Sequence, residues 1–180
     1  MNLARLDDTQ YGLLFDIRRS IRYHDRRRAF FERLHRLTGA LTIILAGGVL
    51  FELAGTGSPA VWLQCVGAVA AALAAVDMVV GYATHGNQHA SLRARFIDLE
   101  RAMLSAGNDA AAWEGFRQQR LAIERDEPPI YRALDLLCHN ELCRAEGFTQ
   151  DKHADQFARV GFLQSLTSNL LHWPNITPAG

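Results

Sequence analysis

Five acid or imidazole side chains crowd one stretch of the chain: Glu124, Asp126, Glu127, His139 and Glu141. Such a set could hold a metal or divide general acid and base roles between carboxylates and an imidazole. Tyr131, Asp135 and His139 also follow one another at i, i+4, so that on a helix the aspartate could orient the imidazole. His85 and His89 repeat that spacing, which can bind a metal, but no carboxylate or cysteine completes their set. Simpler accounts cover all three groups. The acids precede Pro128 and Pro129, where a helix start favours carboxylates and accepts proline. An aspartate four residues before a histidine is ordinary helix support, and the histidine pair reads as solvated or interfacial. No phosphate-binding glycine loop, nucleophile elbow or HExxH occurs. The expectation is therefore no catalytic residue, no cofactor and no metal, with Tyr131, His139, Asn140 and Glu141 serving packing or subunit contacts.

One further carboxylate stands out because of where it lies. Asp77 interrupts "AALAAVDMVVGYA", an otherwise small and apolar run. The chain as a whole is ordinary, with 180 residues, a formal net charge of zero and 49% hydrophobic residues. Yet residues 37–83 hold only Glu52 and Asp77 as charges, and nearly all the others lie in 1–36 and 84–160. That segregation indicates a membrane protein with a polar module outside the bilayer. The cysteines, Cys65, Cys138 and Cys143, are odd in number and make no disulfide framework, so they are read as reduced thiols. No signal peptide is expected, since the first long apolar run follows a charged segment without a cleavage pattern.

The elements follow from that segregation. Leu37–Ala54 would span ~27 Å as a helix, just enough to cross a hydrocarbon core. Ala60–Tyr82 would span ~34 Å, enough to cross with some tilt. "GTGSP", residues 55–59, is a short turn, so the spans form an antiparallel hairpin. The expected class is an all-α membrane protein: a two-transmembrane helical hairpin whose helices extend into a cytoplasmic helical bundle. Its parts are a basic amphipathic helix at 1–36, the hairpin at 37–83, a cytoplasmic helical module at 84–173 and a flexible tail at 174–180.

Orientation follows from the flanks. Arg18, Arg19, Arg22, Arg26, Arg27, Arg28, Arg33 and Arg36 precede the first span, Arg93, Arg95 and Arg101 follow the second, and the turn has no basic residue. The positive-inside rule puts both termini in the cytosol. Pairing residues across the turn sets Asp77 opposite position 37, within one helical turn of Arg33 and Arg36. The favoured reading is an interfacial ion pair among these residues that fixes the register, since intramembrane charges generally find such a partner, and the other is a charge at the cytoplasmic mouth of a permeation path. The arginine-rich arm serves orientation and helix packing, not nucleic-acid binding. Leu92, Phe96, Leu99 and Met103 supply an apolar stripe on the second arm. "GND" at 107–109 ends that helix and caps one over 109–125, Gly147 closes the helix after the prolines, and a last helix covers 155–172.

"SIRYHDRRRAFFERLHRL" leading into a two-span hairpin, with "IERDEPPIYRALDLLCHNEL" after it, resembles the SLATT family. The likeness covers about residues 18–147. It implies a two-transmembrane, pore-forming effector of bacterial conflict systems, of the kind linked to antiviral defence. It also implies a nucleotide-sensor or synthase protein as partner and the bacterial inner membrane as location. Two spans cannot enclose a channel, so a pore needs a homo-oligomer in the lipid bilayer. His35, Thr38, Thr42, Leu45, Val49 and Glu52 form one stripe on the first span, polar at its ends and apolar in the middle, suited to a mouth, a gate and an acidic ring. On the second span Gln64, Gly67, Ala71, Ala74, Met78 and Gly81 form a small-residue stripe for close packing. The alternatives are a membrane-tethered scaffold that relays a signal without conducting and, third, a membrane-embedded hydrolase.

Overall fold

A computed structural model describes residues 6–56, 61–106, 109–174 and 176, without the side chains at 52–54 and 56. Among the described residues all regular structure is helical. The elements are α1 (Asp8–Thr56), α2 (Val61–Val80), α3 (Tyr82–Ala106), α4 (Ala110–Glu124), α5 (Arg132–Ala145) and the short α6 (Phe162–Leu166), with a 3-10 turn at Ala154–Gln156. Helical stretches within Asp8–Phe51 and Val61–Ala106 are long and apolar enough to cross a bilayer. None of the first apolar window and 11% of the second is buried, whereas the core helix of a water-soluble bundle would hide most of its apolar surface.

The chain divides into two compact units, residues 1–27 with 89–180, and residues 28–88. The first, here the helical module, is built on side chains at helical spacing. Leu13, Leu14 and Ile17 of α1 pack with Leu92, Phe96, Leu99 and Met103 of α3 and with Trp113, Phe116 and Ile123 of α4. Each such side chain withdrawn from water is worth roughly 1.5–3 kcal/mol. Asp109 accepts a hydrogen bond from the Ala111 N–H at 3.1 Å, capping α4. Arginines of the basic arm stitch the module together. Arg18 meets Glu100 at 2.7 Å and Glu146 at 2.8 Å, Arg19 meets Asp135 at 3.1 Å, and Arg26 pairs with Glu141.

Two expectations for this module change. The prolines do not open α5, which begins at Arg132 behind an extended Tyr131. Proline biases the residue before it away from helical torsions, so Glu127 and Pro128 stay outside the helix. The last helix is not one element over 155–172. Residues 157–160 are not helical and α6 covers only Phe162–Leu166. The reason is the Asn140 amide, which binds both backbone groups of Ala158: Nδ2 donates to its carbonyl at 2.8 Å and Oδ1 accepts from its N–H at 2.9 Å. Backbone groups so engaged cannot join a helical ladder. Phe157 is buried while Leu163, Leu166 and Leu170 are exposed, so no common face exists.

In the second unit, α2 ends at Val80 and Gly81 takes φ +66° before α3 begins at Tyr82. The second span thus runs on into its arm through a single left-handed residue, with the Gly81 N–H donating to the Asp77 carbonyl at 2.8 Å and the His85 N–H to the Gly81 carbonyl at 3.0 Å. His35 contacts Asp77 and the Val49 side chain lies 3.8 Å from where a Cβ on Gly67 would stand. Phe31 stacks on His85 with ring centroids 5.2 Å apart.

Candidate functional site

Asp77 is the polar centre of the residue 28–88 unit. Its Oδ2 lies 2.9 Å from His35 Nδ1. Arg36, the partner expected from the sequence, instead reaches Glu32 at 3.9 Å, and Arg33 is exposed. One residue of helix turns a side chain by ~100°, so a small offset in pairing replaces arginine with histidine. A cavity of about 480 Å³ adjoins the pair, lined by Gly39, Thr42, Ala74 and Gly81 among others. Asp77 Oδ1 and Thr42 Oγ1 are buried there without a hydrogen-bond partner. Thr38, four residues earlier, turns its hydroxyl back to the carbonyls of Leu34 and His35, at 2.9 and 3.1 Å.

The stripe proposed to line a pore is thus partly engaged with α2. His35 reaches Asp77, Thr42 shares a cavity with Ala74 and Asp77, and Val49 approaches Gly67. Leu45 is half-buried. The Glu52 side chain and the turn residues 57–59 lie outside the described residues.

A second polar cluster lies inside the helical module, and the sequence reading missed it. His24 Nδ1 is 2.9 Å from His89 Nδ1, and His24 Nε2 is 3.1 Å from Glu127 Oε1. Both rings are almost fully buried, and Phe96 stacks on His24 at 5.6 Å. An ionised carboxylate only accepts, so His24 Nε2 carries a proton toward Glu127. In the neutral ring Nδ1 is then a lone pair, and His89 Nδ1–H donates to it. His89 is therefore buried rather than solvated, contrary to the i, i+4 reading.

The four residues of the "IYRALDLLCHNEL" segment have separate tasks. The Tyr131 N–H donates to the Tyr23 hydroxyl at 3.0 Å, and Arg27 lies 4.3 Å over the Tyr131 ring. His139 Nε2 lies 2.9 Å from the Gln156 carbonyl, Asn140 holds Ala158 and Glu141 pairs with Arg26. Cys143 Sγ lies 3.5 Å from His139 Nε2, a contact that could suggest a nucleophilic dyad. It is not one. The Gln156 carbonyl requires a proton on Nε2, so that nitrogen cannot take one from sulfur, and burial pushes the Cys143 thiol up. Burial also pushes Cys138 up to about 12, keeping it a thiol. Among the described residues no three His, Cys, Asp or Glu side chains converge to hold a metal.

Burial pushes the Tyr23 phenol up to about 12, with the Tyr131 N–H and Arg27 pulling the other way. Because the folded value is raised, the neutral phenol contributes stability that is present below the ordinary tyrosine value of ~10 and lost as pH rises through about 12. Alkaline titration by phenolate absorbance should show a late-ionising tyrosine that vanishes in Tyr23→Phe. Superimposable curves would contradict this assignment.

No protein-family model, curated protein or solved structure matches this chain.

Proposed function

We propose that this protein is a homo-oligomeric, ion-conducting membrane effector of the SLATT type. Its apolar helices form a two-span hairpin in a bacterial inner membrane, with both termini in the cytosol. The observation that carries the membrane reading is the bare apolar surface of these helices. Ile43, Phe51, Met78 and Val79 are 75%, 83%, 84% and 85% exposed, and water would penalise each while lipid would not. The charge inside the apolar run, Asp77, is answered by His35, as a carboxylate in lipid must be. Copies of the chain would surround an axis, and a nucleotide-sensor or synthase protein would supply the trigger.

Conduction predicts a concentration law. The purified chain in lipid vesicles should release a potassium-sensitive dye signal whose rate rises more steeply than linearly with protein-to-lipid ratio, because several copies make one path. Assembled oligomer without flux under any trigger would remove the channel and leave the scaffold. That second reading has an observation in its favour: α2 occupies part of the His35–Val49 face, which a pore would need to turn toward its axis. Orientation has its own check. A cysteine at Ser58 should react with an impermeant reagent added outside, and one at Ser105 only after permeabilisation; the reverse pattern would overturn the arginine argument.

A further inference from the structure

We propose that the cavity beside Asp77 binds a small, hard monovalent cation, sodium being the representative ion, through Asp77 Oδ1 and Thr42 Oγ1. The proposal rests on these helices lying in lipid. Both oxygens are buried, both belong to residues that line one cavity, and neither has a hydrogen-bond partner. A buried acceptor left unpaired is costly, and an ionised carboxylate more so. The neighbouring hydroxyl of Thr38 shows what a threonine does when nothing else calls on it, bonding back to its own helix. Thr42 does not.

The donor set selects the ion. Oxygen ligands suit hard cations rather than zinc or copper. A single carboxylate balances one positive charge, whereas divalent oxygen sites draw on more carboxylates or on phosphate. The titratable groups lining the cavity are His35, Asp77 and Tyr82, with no lysine or arginine to repel a cation. His35 holds Oδ2 and thereby fixes the carboxylate, leaving Oδ1 without a hydrogen-bond partner, the role an outer partner plays at an ion site. Gly81, where the helix breaks, lines the same cavity.

The test is equilibrium binding of radioactive sodium to the full-length protein in detergent, read by scintillation proximity at constant ionic strength set with choline chloride. Wild type should show a single class of saturable site, and Asp77→Asn should abolish it. Thr42→Val should lose most of the signal, while Thr42→Ser, which keeps the hydroxyl, should retain it. His35→Ala should weaken binding about tenfold. Asp98→Asn, an exposed carboxylate of α3, should change nothing. Absence of saturable wild-type binding overturns the proposal, as does full binding by Asp77→Asn. If Asp77→Asn fails to elute as wild type does, the Thr42 pair decides: equal binding by the valine and serine variants overturns the site. Protein that conducts without binding sodium loses this site and keeps the effector reading; protein that binds sodium without flux does the reverse.

Discussion

Asn140→Ala is expected to release the chain from Phe157 to Ile176 from the helical module while leaving the α1–α3–α4 core folded. Asn140 is buried, and its amide satisfies the N–H and the carbonyl of Ala158, which is itself buried. Removing the amide strands two buried backbone groups at ~1–3 kcal/mol each. The same segment packs Ala158 and Ile176 against Ala133 and Leu136 of α5, so their apolar contact weakens together with the clamp. Hydrogen exchange followed by mass spectrometry should show peptides over 157–170 exchanging at least about thirtyfold faster, the equivalent of ~2 kcal/mol. Asn140→Asp should do no better. A carboxylate can still accept from the Ala158 N–H, but it sets a second oxygen against the Ala158 carbonyl. Unchanged exchange in both variants would mean that α5 packing alone holds the segment.

The second large effect is expected at His24. His24→Phe keeps a ring against Phe96 but leaves the Glu127 carboxylate, whose side chain is 7% exposed, without its imidazole. Leaving a buried carboxylate without its hydrogen-bond donor costs about 1–3 kcal/mol, and more when the group is charged. The double variant His24→Phe with Glu127→Leu removes both ends and should recover at least half of that loss, seen as a shift of the denaturant midpoint without a change in slope. Simple addition of the two single losses would show that the residues do not act as a pair.

These two sites were the hardest to find in the sequence, and the reason is physical. Periodicity reports neighbours on one helix. It therefore found the buried Leu92, Phe96, Leu99 and Met103 stripe, the Asp109 cap and the long apolar helices. His24 and His89 stand 65 residues apart, and what joins them is the packing of α1 on α3. The only available signal was weak: His24 falls on the same helical stripe as Ile17 and Ile21, which marks it as inward-facing. Asn140 looked like one polar residue among several, since nothing in its own helix shows that Ala158 needs two hydrogen bonds. Asp77 was visible as an anomaly, and its need for a partner followed from solvation. The partner's identity depended on register to within one residue, which hydropathy does not fix.

Gly81 carries a consequence at the level of the gene. A Cβ there would meet Thr84 atoms at 3.7 Å, ordinary contact, so there is room for a side chain. What resists substitution is torsion alone: at φ +66° any residue with a Cβ is strained by about 1–2 kcal/mol. Every amino-acid replacement reachable from a glycine codon by one base change brings a Cβ, so no missense drift at this position is neutral to the backbone. Aspartate is the mildest of these in torsion, since short polar side chains tolerate the left-handed region. It would also set a second carboxylate just past the end of α2, beside the cavity that Asp77 lines, where like charges repel. The codon that is cheapest for the backbone is thus the worst for the charge, and glycine is left as the residue that satisfies both.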